Sequence, residues 1–149
     1  MDSKVLVAIT TGRSIFKNTL DMLAENFSKY GHFTKQRVDC LINYDPSFMK
    51  LPNNGFTYSG PSSSLFNNIS YIGPKEIPKY RSIMHDYGLD TRQINLLCKD
   101  QGFGNKKNLV FLYAILNGYD IVLFWDDDEY PIILMNDDNH VTWRDTDVL

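Results

Sequence analysis

Two short apolar runs on either side of one amphipathic helix constrain this chain most. "KVLVAIT" (4–10) is rich in β-branched residues and reads as a buried strand, and "RVDCLINYD" (37–45) reads as a second. Between them "TGRS" supplies turn chemistry, with Ser14 a candidate helix cap. Phe16, Leu20, Leu23 and Phe27 then recur at helical spacing, which predicts a helix over 15–30 that ends near Gly31. Strand, helix, strand is the βαβ pattern of a parallel sheet.

The rhythm breaks at 46–76. "DPSFMKLPNNGFTYSGPSSSLFNNIS" is rich in Pro, Gly, Ser and Asn, though it carries Phe48, Phe56, Tyr58 and Phe66. It reads as a long flexible loop insertion with few buried contacts, either a surface excursion or a flap over a ligand. Order resumes with "EIPKYRSIMHDYG". Pro78 suits a first helical turn, Ile77, Tyr80, Met84 and Tyr87 share one face, and Gly88 suits a cap. "INLLC" (94–98) reads as a third strand. Residues 105–117 follow as a helix with Leu109, Leu112, Tyr113 and Leu116 inward and Gly118 as its stop. "YDIVLFW" (119–125) is a fourth strand, running into the acids Asp126, Asp127, Asp128 and Glu129. The expected fold is one open α/β domain whose ligands sit outside the carboxyl ends of the strands.

Composition narrows the function classes. The 149 residues suit a single core, and 43% hydrophobic content supports folding over disorder. A net charge of −3 argues against general nucleic-acid binding, which needs a basic face. No apolar stretch reaches the ~20 residues of a membrane span. The amino terminus reads as a first strand and not a secretory signal, so a cytoplasmic location is expected. Cys40 and Cys98 are then reduced core thiols, and the sequons at Asn26 and Asn68 are chance.

The polar clusters collect at the strand ends. Thr10, Thr11, Gly12 and Arg13 follow the first, and Asp45 ends the second. Lys99, Gly102, Gly104, Lys106, Lys107 and Asn108 follow the third, and the four acids follow the fourth. A dinucleotide fingerprint in "GFGNKK" has Lys107 at its third glycine position, where a long side chain obstructs helix–strand packing. The Walker spacing is absent, and the cysteines and histidines lack zinc-ligand spacing. His32, His85 and His140 read as surface or capping residues. A hard divalent cation suits the acids better. Asp126 and Asp128 alternate, so in an extended segment they point the same way, with Asp127 opposite. The bland alternative is a solvated acidic turn.

The stretch "GFGNKKNLVFLYAILNGYDIVLFWDDDEYP" (102–131) resembles the family 2 glycosyltransferases with the GT-A fold, a mostly parallel, Rossmann-like sheet with flanking helices. Gly104 sits in the loop, and Lys107-Asn108 takes the place of an Arg-Asn pair. Asp126-Asp127-Asp128 takes the Asp-x-Asp position. "VLVAITTGR" and "VDCLINYD" fit the first two strands. Lysine replaces arginine at 107, and "INYDPSF" lacks the common Asp-Gly-Ser. The resemblance implies a nucleotide-diphospho-sugar donor and Mn2+ or Mg2+ as cofactor, with transfer to a glycan or other hydroxyl acceptor. Thr10, Thr11, Gly12, Arg13 and Asp45 then line the base and ribose pocket, and Lys107, beside Gly104 and Asn108, neutralises phosphate. Asp126 contacts ribose or metal, Asp127 belongs to the donor site, and Asp128 is the principal metal ligand. It also implies a donor-binding part that stops before the acceptor-binding half. The carboxylates and histidine after Pro131, namely Asp137, Asp138, His140, Asp145 and Asp147, are the few candidate bases. A nucleotidyltransferase of related fold, or a non-catalytic nucleotide- or partner-binding module, stands as the alternative.

Overall fold

The computed structural model describes residues 3–99, 102–137 and 140–149, without the side chains of Phe103 and of 133–143. Four parallel strands, β1 (Lys4–Thr11), β2 (Arg37–Tyr44), β3 (Ile69–Ile72) and β4 (Ile121–Asp126), form one sheet in the order β3-β2-β1-β4. The central strand β1 is buried on both sides, which is why its sequence is apolar without alternation. Val5, Val7 and Ile9 face Phe16, Leu20, Leu23 and Phe27 of helix α1 (Phe16–Lys29). Leu6 and Ala8 face the opposite layer. There lie α3 (Ile77–Asp86), α4 (Thr91–Leu97) and α5 (Phe103–Leu116). A short α2 (His32–Lys35) follows α1.

The chain builds outward from β1 to β2 and β3, then crosses back to place β4 on the other side of β1. This reversal opens a crevice at the carboxyl ends of β1 and β4, where open α/β sheets take their ligands. A separate antiparallel pair, β5 (Ile132–Asp137) and β6 (His140–Asp145), follows. It forms its own two-stranded sheet and does not add an edge to the first. No helix among the described residues is long and apolar enough to cross a membrane.

The fold corrects the reading of the middle of the chain. "INLLC" is not a strand; Ile94 to Leu97 belong to α4 and Cys98 caps it. Asp90 accepts from the Gln93 amide while Gln93 Oε1 accepts from the Asp90 amide, each at 2.8 Å, a capping box that starts a helix. Arg81 of α3 then donates to the Cys98 carbonyl and to Asn95 Oδ1. The third strand is "ISYI", inside the segment expected to be a loop. That segment has many buried contacts: Phe56, Tyr58 and Phe66 are all core residues. The Tyr58 hydroxyl donates to Asp21 Oδ1 at 2.6 Å, and Asn67 Oδ1 accepts from the Val38 amide at 3.1 Å. Hydrogen exchange should therefore find the amides of 69–72 protected with the sheet and those of 46–51 open first. Equal exchange rates in the two stretches would mean that β3 is not stably paired.

Smaller corrections concern single side chains. Tyr87, expected to share a face with Ile77, Tyr80 and Met84, is 74% exposed where they are buried, and Leu116, expected inward, is 38% exposed, while Val110 and Ala114 of α5 are core residues. Ser14 makes no capping bond, since α1 begins from Ile15 without one. His32 is buried at the end of the core, edge-on to Phe27, with Nε2 2.7 Å from Asp147 Oδ1. Gly31, Gly88 and Gly118 do end their helices in left-handed conformation. Cys40 and Cys98 are both buried, with no disulfide between them.

Candidate functional site

Register brings the two polar strand ends together. Thr10 of β1 pairs with Asp126 of β4, so the turn after each strand rises beside the other. The extended segment stops at Asp126, whose carbonyl accepts from the Glu129 amide at 3.3 Å, and the chain turns through Asp127 and Asp128. Strand alternation therefore does not place Asp126 and Asp128. The turn drives Asp127 inward until only 4% of it is exposed.

Asp127 is satisfied from three directions. Thr11 Oγ1 donates to its Oδ2 at 2.6 Å, Arg13 Nε donates to the same oxygen at 3.1 Å, and Arg13 Nη2 donates to its Oδ1. The Asp127 carbonyl accepts from Thr19 Oγ1 of α1 at 2.7 Å. Arg13 Nη2 also reaches Asp128 Oδ2 at 2.9 Å. Hydrogen bonds first to Asp127 and then to Asp128 push the Arg13 guanidinium still further above its usual range. Arg13 thus compensates two of the four acids directly.

A cavity of about 320 Å³ opens here, lined by Thr10, Arg13, Lys107, Asp126, Asp127 and Asp128. A second, of about 290 Å³, adjoins it and is lined by Thr10, Thr11, Asp45, Ser47, Phe48, Gly102 and Lys106. Thr10 borders both, and its buried Oγ1 has no hydrogen-bond partner among the described residues. A buried hydroxyl left in this state is costly, so a polar ligand or water that met it would be favoured.

The remaining expected site residues divide. Asp45 borders the second cavity, where its Oδ1 accepts from the Ser47 amide and hydroxyl and starts the loop after β2. Gly12 acts by size: a Cβ on it would lie 2.6 Å from the Phe48 Cβ. Gly12→Ala should cost about 1–3 kcal/mol by displacing Phe48, which a thermal melt and a change in ligand affinity would both register. Lys107 is exposed at the first cavity, its Nζ 5.8 Å from the centre of the Phe124 ring. Asn108 is not brought to the site; it borders an apolar groove on the outer face of α5. Gly104 is exposed and lines neither cavity, and Lys99 lines a different hollow beside Arg81. Lys106 is buried, with Nζ donating to the Tyr44 carbonyl at 3.0 Å while its own carbonyl accepts from Asn43 at 2.7 Å. It bolts the start of α5 to the end of β2.

Asp145 and Asp147 are engaged elsewhere, with Lys29 at 2.5 Å and His32 at 2.7 Å. Asp138 lies outside the described residues, as do the side chains of Asp137 and His140. Sequence reasoning missed Thr19, and it named Phe48 only as part of a candidate flap. A threonine within the apolar stripe of α1 was the available signal for the first.

The carboxylates suit a hard cation that arrives with its own phosphate. Mg2+ and Mn2+ commonly bind through one or two carboxylates plus substrate phosphate and water. Asp126 is exposed and Asp128 half-exposed, while Asp127 is closed by its four bonds. Among the described residues no group of three or more His, Cys, Asp or Glu side chains could hold a metal by itself. A cation here would therefore depend on the ligand for most of its coordination.

No family model, curated protein or solved structure matches this chain.

Proposed function

We propose that the chain is the donor-binding part of a family 2-like glycosyltransferase with a GT-A fold, taking a nucleotide-diphospho-sugar whose sugar passes to an acceptor hydroxyl. The observation that carries this reading is the cavity at the β1–β4 reversal, where Asp126 and Asp128 meet Arg13 and Lys107 around the unpartnered Thr10 hydroxyl. Acids and bases facing one another across a small cavity suit a diphosphate with its cation better than either charge alone. Thr10, Thr11, Asp45 and Phe48 line the neighbouring cavity, which would take the ribose and base. Arg13, whose fork is held by Asp127, would add positive charge beside the phosphates, and Lys107 would meet them as a point charge. Mn2+ or Mg2+, when bound, would screen the charge that develops on the leaving diphosphate. Asp126 and Asp128 are the residues that would hold it.

Calorimetry of nucleoside diphosphate binding with and without Mn2+ tests the proposal. Mn2+ should tighten binding at least ~10-fold, equivalent to about 1.4 kcal/mol. Asp128→Ala should remove that gain and leave the melting temperature nearly unchanged, because its carboxylate is half-exposed. Binding that is absent, or indifferent to Mn2+, would leave the acids as a solvated turn.

A further inference from the structure

A further hollow, of about 860 Å³, opens where the chain leaves β3. Pro74, just past that strand, and Ile77 and Pro78 in the first turn of α3 line it with apolar surface. Arg81, Asn95 and Lys99 line it with polar groups. Its volume is that of a small-molecule site. No acid among the described residues lines it. Glu76, next to Ile77 in the chain, is engaged with the Gly73 amide, from which it accepts at 2.8 Å.

The charge here is unbalanced in a way that it is not elsewhere. Arg13, Lys29 and Arg37 each meet a carboxylate. Arg81 is half-buried and meets only neutral acceptors: Nη1 donates to the Cys98 carbonyl at 2.8 Å, and Nη2 donates to Asn95 Oδ1. Those bonds fix the guanidinium between α3 and α4, and its other N–H donors have no partner among the described residues. Lys99 is exposed at the same hollow and pairs with no carboxylate among those residues. A cation that is partly desolvated and held without a counter-charge gains most from an anion that reaches it.

We propose that this hollow binds a small molecule carrying a phosphate monoester, with the phosphate between Arg81 and Lys99 and the apolar part on Pro74, Ile77 and Pro78. Two cations with no acid beside them match the nearly two negative charges of a phosphate monoester better than the single charge of a carboxylate or a sulfate ester. Arg81 is already fixed by its two bonds, and the proline rings are rigid, so little side-chain freedom is lost on binding. The inference stands apart from the donor-binding reading, since none of these residues lines either cavity of that site.

Calorimetry with phenyl phosphate, in the absence of divalent metal, tests the proposal. The expected Kd is on the order of 0.1–1 mM, in keeping with so small a ligand. Phenyl sulfate, with one charge, and inorganic phosphate, with no apolar part, should each bind at least ~5-fold more weakly. Lys99→Glu, on an exposed position, should weaken phenyl phosphate at least ~10-fold with an unchanged melt, and Lys99→Arg should retain most of the affinity. Lys107→Gln, in the cavity beside Asp126, should leave this binding as it is. No binding by about 10 mM, equal binding of phenyl sulfate, indifference to Lys99→Glu, or loss in Lys107→Gln would each overturn the inference. So would a phosphoserine peptide that binds more tightly than phenyl phosphate, which would make the hollow a peptide site.

Discussion

Replacing Arg13 by glutamine is expected to lower stability by about 3 kcal/mol, a drop of roughly 6–12 °C in melting temperature for a domain of this size. Asp127 is nearly fully buried, and Arg13 supplies both its compensating charge and bonds to each of its oxygens. Without the guanidinium, a buried carboxylate would sit beside Asp126, Asp128 and Glu129 with only the Thr11 hydroxyl against it. Removing one partner of a buried pair is costly because the other remains charged and unpaired. The double variant Arg13→Gln with Asp127→Asn should accordingly regain more than half of the loss, a coupling that a double-mutant cycle isolates. Arg13→Lys should fall between, since lysine keeps the charge and loses the fork. A melt of Arg13→Gln within about 1 °C of wild type would show that water, not Arg13, carries the charge of the turn.

Phe56→Ala should be more damaging still, at about 3–5 kcal/mol. The ring is fully buried, stacks on Tyr44 of β2 with centroids 4.7 Å apart, and lies 6.4 Å from Phe16 of α1. It therefore plugs the joint between the sheet and its first helix. Its two ring neighbours, Tyr44 and Phe16, are rigid aromatics, so the cavity and the lost transfer energy both count. A fall of roughly 10 °C in melting temperature is the expected reading. A variant melting within about 2 °C of wild type would place 46–76 outside the core, as its composition alone suggested.

That contrast shows what the chain made legible. β1, α1 and β2 were readable because each declares itself locally: apolar runs for strands buried on both faces, unbroken in β1 and interrupted by Asp39 and Asn43 in β2, and a helical rhythm for α1. "ISYI" and "INLLC" were not readable. Runs of four or five apolar residues fit strand and helix equally, and the arbiters lie outside them. For "INLLC" the arbiter is the capping box at Asp90 and Gln93, which is local and could have been read. For "ISYI" it is pairing with β2, some thirty residues earlier, which no local pattern reveals.

The candidate site divides in the same way. The residue types at the strand ends, and the rule that ligands gather there, are properties of the sequence and of parallel-sheet chirality. They put Thr10, Arg13 and Asp126–Asp128 beside one crevice before any coordinates are known, whereas Lys107 was assigned there as following a third strand, "INLLC", that is a helix. Which acid faces inward was a tertiary decision. Alternation required Asp127 to oppose its neighbours, but the chain turns after Asp126, and Arg13, Thr11 and Thr19 converge on Asp127 from elements over 100 residues away in sequence. Asn108 was lost from the site because the rotation of α5, set by Leu109 and Val110 in the core, turns it outward. Local pattern determined the elements and the chemistry delivered to each strand end, because it depends on near neighbours. Packing decided the partner of each charge and the face of each helix, because those depend on contacts that exist only once the chain is folded.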